Sequence, residues 1–329
     1  MSRPGAPFTI LLFSPGMAQR VTIPPAFEEW LEWDRRRVAG WVWDRAEPLV
    51  IGWPFNGTRR WYLLHRRSNP AADDYVGTMI HYQALKHRLL FNLGARVILA
   101  PCFGYGLLKR GEEYTRGVLG ALLRLVDDPV NREMFGEGVR LLFYGDHEEI
   151  LDTPTLRPML AACRELTEMT SDNEGPLLML GLFADSPYER LARLSVDFAR
   201  RRGRPPDRGE LVREYYGVNV PDLSLYLGFA QPAVFDVPLV ATGGEDLYAT
   251  LNPSPEVTER QLREILYDHL ILRPAGDADY DSLSEGSVRS LEAYNETVRE
   301  RTLGVGRVDP ATGIWNPLFP GPPTRSRSL

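Results

Sequence analysis

Two adjacent arginines, Arg59 and Arg60, follow an apolar run that ends at Phe55. A guanidinium group binds phosphate oxygens through paired hydrogen bonds and stays charged throughout the physiological pH range. Gly57 lets the backbone turn and approach a ligand closely, and Thr58 adds a hydroxyl group. Backbone N–H groups at the start of a following helix would complete an anion site. These residues could bind a diphosphate; the alternative is that both arginines pair with surface carboxylates.

The elements that position these arginines follow from the hydrophobic periodicity. Short apolar runs predict strands at Leu49–Phe55, Ala95–Pro101, Val139–Tyr144, Leu177–Phe183, Leu223–Phe229 and within Val237–Leu251. Helical patterns occupy Tyr75–Leu93, Gly111–Val126, Pro154–Met169, Tyr188–Arg202, Thr258–Leu272 and Ser287–Arg301. This alternation predicts an α/β fold, a single domain with a central, mostly parallel six-stranded sheet flanked by helices. Ligands of such sheets bind beyond the carboxyl ends of the strands, where the arginine pair is expected to lie.

Three parts of the chain differ in composition. Residues 1–45 form an aromatic-rich N-terminal extension, which we expect to pack as a helix. Its tryptophans are Trp30, Trp33, Trp41 and Trp43. Residues 46–308 contain the predicted strands and helices and form the expected catalytic domain. Residues 309–329 form a Pro/Gly-rich C-terminal tail.

The bulk composition argues against several classes of protein. The 329 residues carry a formal net charge of −6, which does not suit a general nucleic-acid binder or a binder of anionic membranes. No apolar run reaches the roughly 18–20 residues that a transmembrane helix needs. We therefore expect no transmembrane segment and a cytoplasmic protein. The cysteines, Cys102 and Cys163, are too far apart for a zinc motif, and we expect buried free thiols.

Acidic residues and histidines elsewhere have simpler interpretations than metal binding. The residues of Asp146–Glu149 are adjacent, so their side chains diverge, and a solvated turn is expected. Asp73 and Asp74 precede a predicted helix and are expected to cap it. His269 lies in a predicted helix and is expected to be a hydrogen-bonded core residue. We assign no metal ligand.

The segment around the arginine pair, Phe55-Asn56-Gly57-Thr58-Arg59-Arg60-Trp61, resembles the diphosphate-binding signature of cis-prenyltransferases, Asp-Gly-Asn-(Arg/Gly)-Arg-Trp. Leu141–Asp146 resembles the central strand of that family, which ends in Gly-Asp. Asp246–Leu251 and Glu259–Leu266 resemble its last strand and helix. The resemblance implies a fold like that of undecaprenyl diphosphate synthase, with Gly57, Thr58, Arg59 and Arg60 binding the diphosphate of a prenyl substrate.

A narrower branch is more similar still, namely the terpene synthases of this fold, typified by tuberculosinyl adenosine transferase (tuberculosinol synthase) and kolavelool synthase. The similar segments occur in the same order between Pro54 and Trp315. They are Pro54-Phe55, Asp73-Asp74-Tyr75, Arg110–Tyr114, Phe143–Asp146, Tyr215–Gly217, Tyr267–His269 with Leu272-Arg273, Gly304–Gly306 and Gly313–Trp315.

One motif of the chain-elongating cis-prenyltransferases is missing. Those enzymes bind isopentenyl diphosphate through an Arg-x-Ser-Gly-Glu-x-Arg-x-Ser run after the penultimate strand. The corresponding segment, Leu227–Phe235, contains no arginine and no serine. A second diphosphate would meet no cation there, so chain elongation is not expected.

The resemblance implies a diterpene synthase. A bound, bicyclic allylic diphosphate would ionise, and water would capture the carbocation to give a terpene alcohol and free diphosphate. Tyr75 and Tyr114 match tyrosines that line the pocket in this family. Their rings could stabilise the carbocation, and their hydroxyls could orient the nucleophile. With Asn56, they are the expected catalytic residues.

Asn56 departs from the family, which has an aspartate here as a magnesium ligand or a base. An asparagine cannot act as a general base and is a poor Mg²⁺ ligand. Two explanations stay open: a naturally metal-free or altered site, or an Asp→Asn change that blocks turnover. Mg²⁺ is therefore an open cofactor assignment.

Two other functions compete with water capture. In the first, the prenyl group moves to an organic acceptor such as a nucleoside nitrogen. In the second, the chain is a non-catalytic partner subunit of a cis-prenyltransferase. The missing aspartate fits a partner subunit, but the retained Gly57, Arg59 and Arg60 do not. The resemblance also implies a homodimer formed through the edge strand of the sheet and the late helices.

Overall fold

A parallel sheet of six strands organises the computed structural model, which describes residues 24–68, 74–104, 117, 120, 123–125, 127–154, 156–182, 186–273 and 279–318. The strands are β1 Val50–Gly52, β2 Val97–Phe103, β3 Arg140–Tyr144, β4 Leu177–Leu182, β5 Leu225–Phe229 and β6 Asp246–Thr250. Their order is β3-β4-β2-β1-β5-β6, and every pairing is parallel. The predicted α/β fold with a six-stranded sheet is confirmed.

Helices cover both faces of this sheet. The described α-helices are α1 Phe27–Glu32, α2 Arg35–Trp43, α3 Thr58–Ser68, α4 Tyr75–Asn92, α5 Pro129–Gly136, α6 His147–Leu151, α7 Arg157–Met169, α8 Pro187–Arg202, α9 Arg208–Tyr216, α10 Glu259–Tyr267 and α11 Glu285–Val298. A π-helical turn, Asp268–Leu272, extends α10, and short 3₁₀ turns occupy Ser254–Glu256 and Tyr280–Ser282. The predicted helix at Gly111–Val126 lies mostly outside the described residues.

Two hydrophobic clusters form the core, one on each face of the sheet. Successive side chains of a strand point to opposite faces. Accordingly, Ile51 and Ile98 belong to the cluster that also contains α4, α5, α7 and α10 residues, whereas Val50 and Leu99 pack with residues of α9. Because both faces are buried, the strands appear in the sequence as continuous apolar runs and not as alternating patterns.

The N-terminal helices belong to the first of these clusters. Trp30 is fully buried, and its indole N–H donates to the Arg263 carbonyl oxygen at 2.9 Å. The Arg263 guanidinium in turn donates to the Trp33 carbonyl oxygen at 2.7 Å and to Glu259. These reciprocal bonds fasten α1 and α2 to α10.

Two predicted strands are shorter in the structure, and the part of each that does not form a strand contains a residue with positive φ. β1 stops at Gly52, and the chain then turns through Phe55 at φ 53°. The strand predicted within Val237–Leu251 is confined to β6, and Leu239, in the part before β6, has φ 69°. A non-glycine residue in this region is strained, so no strand continues through it.

A short antiparallel ribbon follows α11. It pairs β7, Gly306–Val308, with β8, Trp315–Pro317. Strands of three residues show no alternation from which they could have been predicted. Both cysteines are free thiols; Cys163 is buried, and Cys102 is half-buried.

Candidate active site

The strand order places a crevice at the carboxyl ends of β1 and β5. The chain leaves β1 toward β2 on one side, and it leaves β5 toward β6 on the other side. In open parallel sheets, this reversal of direction marks the place where ligands bind. The segment 53–60 after β1 and the loop 230–241 after β5 flank the crevice.

The segment after β1 forms a cradle, defined here as residues 56–60, at the start of α3. Gly57 has φ 79°, and a Cβ atom there would lie 2.9 Å from the Phe229 ring and 3.0 Å from Pro253 Cβ. Only glycine fits this close approach to the ends of β5 and β6. The Asn56 carbonyl oxygen accepts from the Ser254 amide at 3.0 Å and fixes the turn.

The start of α3 offers free backbone donors. Its first helical bond runs from the Trp61 amide to the Gly57 carbonyl oxygen at 3.0 Å. The amides of the preceding turn, Thr58 to Arg60, therefore have no acceptor within the helix. No acidic residue occupies this turn, so its partial positive charge is not neutralised by the helix itself.

The two arginines differ in their surroundings. Arg59 is exposed, whereas Arg60 is half-buried with its Cζ 5.1 Å from the centre of the Phe229 ring. Arg60 Nη1 donates to Asn316 Oδ1 on β8 at 3.3 Å. In the described part of the chain neither guanidinium pairs with a carboxylate. Arg88, in contrast, forms two bonds to Glu133 at 2.6 and 2.7 Å.

Tyr75 lies directly beside the cradle. Its hydroxyl shares a hydrogen bond of 2.9 Å with Thr58 Oγ1, and its ring meets Tyr62 edge-on at 4.9 Å. Tyr75 opens α4, which Asp74 caps by accepting from the Gly77 amide at 3.0 Å, as predicted. Tyr114 and Asp73, both singled out from the sequence, lie outside the described residues.

No described carboxylate contacts the cradle. Asp74 binds Arg124 through both of its oxygens at 2.6 and 2.5 Å, and its pKa is held below the usual range mainly by that hydrogen bonding. Asn56 is a neutral amide. Among the residues that the structure describes, no group of three or more histidine, cysteine or acidic side chains could hold a metal ion. The described part of the cradle therefore supplies no carboxylate ligand for Mg²⁺.

The expectation of a solvated turn is wrong for Asp146, which is 2% exposed at the end of β3. Its carboxylate pairs with Arg190 and, at 3.4 Å, with Arg193, both on α8. Burial alone would disfavour the carboxylate, and these two arginines compensate for it. His269 Nδ1 is hydrogen-bonded to Asp246 Oδ2 at 2.6 Å, so the predicted hydrogen bond is confirmed, but the half-buried ring is not a core residue.

Sequence reasoning used the loop after β5 only for its lack of cations and did not predict its conformation. Four non-glycine residues in the described ranges have positive φ, and three of them, Ala230, Asp236 and Leu239, lie in this loop. Three buried tyrosines donate to its backbone carbonyls. Tyr226 donates to Phe235 at 3.3 Å, Tyr144 to Asp236 at 3.2 Å and Tyr216 to Pro238 at 2.7 Å. The signal in the sequence that could have drawn attention to this loop is its one acidic residue, Asp236, in a segment without lysine or arginine.

The fold is that of the cis-prenyltransferases. A probable undecaprenyl diphosphate synthase from Campylobacter jejuni superimposes with a TM-score of 0.51 at 15% identity, over 71% of this chain and 98% of the other. Lavandulyl diphosphate synthase from Lavandula x intermedia, solved with dimethylallyl diphosphate, gives 0.51 at 16% identity, over 70% and 97%. No protein-family model matches the sequence.

A curated relative narrows this class. Tuberculosinyl adenosine transferase from Mycobacterium tuberculosis is 34% identical over 271 residues, which is 82% of this chain and 90% of that protein. The chain belongs to the family of this transferase, and it is an enzyme of the cis-prenyltransferase type. Within the described ranges, no helix has the length and apolar character needed to cross a bilayer.

Proposed function

We propose that this chain transfers a prenyl group, of diterpenyl size, from its allylic diphosphate to a nitrogen of an adenosine-like acceptor. The observation that carries the proposal is the identity of 34% with a tuberculosinyl adenosine transferase across most of both chains. The cradle supports it, because it combines the free amides at the start of α3 with two arginines that have no carboxylate partner among the described residues.

The first step is ionisation of the substrate. The bond between the allylic carbon and the diphosphate oxygen breaks, and its electron pair leaves with the diphosphate. Arg59, Arg60 and the free amides of α3 stabilise the negative charge that grows on this leaving group. Ionisation moves no proton, so the inability of Asn56 to act as a base does not block it.

The carbocation is then held until the acceptor reacts. Tyr75 is fixed beside the cradle by Thr58 and Tyr62, so its ring lies near the carbon that loses the diphosphate. The negative face of an aromatic ring stabilises a cation and offers it no lone pair from a strong base. The acceptor nitrogen then donates its lone pair to form the new C–N bond.

Water capture is the second candidate function. The loop segment Leu227–Phe235 carries no charged side chain, which favours it. The same ionisation would then end in a terpene alcohol, and the enzyme would be a diterpene synthase. The two candidates differ only in the nucleophile, so a product assay separates them.

The test is product analysis by liquid chromatography and mass spectrometry. The chain and its Asn56→Asp variant are incubated with geranylgeranyl, tuberculosinyl and kolavenyl diphosphates, with and without adenosine and Mg²⁺. We expect at least one of these diphosphates to give a prenylated adenosine. We also expect turnover by the variant, but not by the parent chain, to depend on Mg²⁺, because a carboxylate beside the diphosphate repels it unless a metal intervenes.

Three results bear on this proposal. A terpene alcohol as the sole product, with adenosine present, would favour the synthase. If neither protein consumes any of the diphosphates, the catalytic proposal fails and a partner-subunit role takes its place. If only the Asp variant turns over, the residue at position 56 is what limits this chain.

We further propose a homodimer. Leu247 on the edge strand β6 and Leu251 directly after it are exposed, and α11 buries none of its side chains. A second copy would cover this apolar surface. Sedimentation at micromolar concentration checks the mass, and a monomer would contradict the proposal.

A further inference from the structure

The Asp236 carboxylate lies at the ligand-binding edge of the sheet. The residue follows β5, one of the two strands that border the crevice. Its Oδ2 is 3.4 Å from the position that a Cβ atom on Gly104 would occupy, just beyond the end of β2. Since β1 lies between β2 and β5, the carboxylate lies across the carboxyl end of β1.

The backbone at Asp236 is strained and yet firmly held. Asp236 has φ 57°, a left-handed conformation that an aspartate adopts less readily than a glycine does. The hydroxyls of Tyr226, Tyr144 and Tyr216 bind the carbonyls of residues 235, 236 and 238, which prevents the loop from relaxing. Strain that the surroundings maintain in this way is a marker of a functional position.

The side chain of Asp236 has no hydrogen-bond or ion-pair partner among the described residues. Burial raises its pKa above the usual range. A half-buried carboxylate without donors is costly, and a ligand that supplies donors would remove the cost.

Neighbouring polar atoms are unpaired as well. The Tyr215 hydroxyl and Arg190 Nε are both buried without a hydrogen-bond partner in the described structure. The Arg190 Cζ is 5.8 Å from the centre of the Tyr215 ring. The pKa of Tyr215 is raised first by its burial, and the charges of Arg190 and Asp236 both act on it, so the three groups share one neighbourhood.

The negative charge of Asp236 determines which ligands can bind beside it. The charge of Arg190 is already compensated by Asp146, and the loop itself contains no cation, so the Asp236 carboxylate repels a second diphosphate. It attracts N–H donors, most strongly when the donor acquires positive charge. A nitrogen heterocycle with an amino group next to its nucleophilic ring nitrogen meets both conditions, as the adenine base does.

We propose that Asp236 binds the acceptor base, accepting a hydrogen bond from its exocyclic amino group. The inference rests on the proposed transfer function and adds the residue that selects the acceptor. The ring nitrogen lone pair forms the C–N bond while the C–O electron pair leaves with diphosphate. The resulting positive charge spreads onto the amino group, where the carboxylate stabilises it without a proton transfer.

The experiment is titration calorimetry of the full chain with inorganic pyrophosphate present to fill the cradle. Adenosine is compared with purine riboside, which lacks the amino group. Asp236→Asn removes the charge and keeps the shape, and asparagine tolerates positive φ as well as aspartate does. The matched control is Asp172→Asn, an exposed aspartate before β4 at the opposite edge of the sheet.

We expect the parent chain and the control to bind adenosine about tenfold more tightly than purine riboside. In Asp236→Asn the two nucleosides should bind alike, and pyrophosphate affinity should change by less than about twofold. If the variant keeps the tenfold preference, Asp236 does not bind the amino group and the inference is overturned. If the parent chain binds neither nucleoside, the proposed adenosine-like acceptor and the proposed role of Asp236 both fail.

Discussion

The segments after β1 and β5 border the same crevice and differ in their charge. After β1, a free helix start lies beside two arginines that have no carboxylate partner among the described residues, so this side carries positive charge. After β5, the loop carries no cation, and its one charged residue is the carboxylate of Asp236. The proposed transfer uses this difference in charge, because one side would bind a diphosphate and the other would bind an uncharged acceptor.

The largest effect is expected from removing the two arginines of the cradle. In Arg59→Ala/Arg60→Ala, each lost charge-assisted hydrogen-bonding group costs about 1.5–3 kcal/mol. The affinity for pyrophosphate should therefore fall roughly 10²–10⁴-fold. Calorimetry measures it, with Arg36→Ala/Arg37→Ala on α2 as the control pair. An unchanged affinity in the cradle variant would place the diphosphate elsewhere.

A smaller effect is expected at Gly57, where the cradle packs against the end of β5. In Gly57→Ala, the new methyl group meets the Phe229 ring and Pro253, and φ 79° is strained for alanine. We expect about a tenfold loss of pyrophosphate affinity, because the cradle must move away from β5. Gly217→Ala, at φ 77° with open space around it, carries the strain without the collision.

The control decides what the Gly57 result means. Both variants should lose thermal stability, since a positive φ costs alanine about 1–2 kcal/mol. Only Gly57→Ala should lose affinity. Equal binding by the two variants would show that the contact with Phe229 does not shape the cradle.

The smallest effect concerns Asn316, which occupies one donor of Arg60 at 3.3 Å. In Asn316→Ala this donor becomes available to the diphosphate, so pyrophosphate affinity should rise by less than about threefold. Asn295→Ala, an exposed residue on α11, serves as the control. A loss of tenfold or more would mean that the β7–β8 ribbon takes a direct part in binding.

Local sequence patterns predicted the parallel sheet with its helices and the position of the arginine pair at the carboxyl end of a strand. The alternation of strands and helices gave the parallel sheet, because burial on both faces leaves continuous apolar runs. The segment Gly57–Arg60 could be placed at the ligand edge because it follows a strand directly. Asp74 could be assigned as a cap from its place before a helix.

Contacts between distant segments account for what the sequence could not predict. The burial of Asp146 depends on Arg190, 44 residues further along the chain. The strained backbone of Asp236 depends on hydroxyls from β3, β5 and α9, and no local motif encodes such a convergence. The contact between Arg60 and Asn316 spans 256 residues. Neither φ signs nor these long-range contacts can be deduced from periodicity.

The bond between Trp30 and Arg263 spans 233 residues and has a consequence during synthesis. At 5–20 residues per second, the ribosome delivers Arg263 roughly 10–50 seconds after Trp30. Throughout that interval Trp30 lacks the helix α10 that binds its indole, so chaperones that bind exposed aromatic side chains should engage the nascent chain at α1.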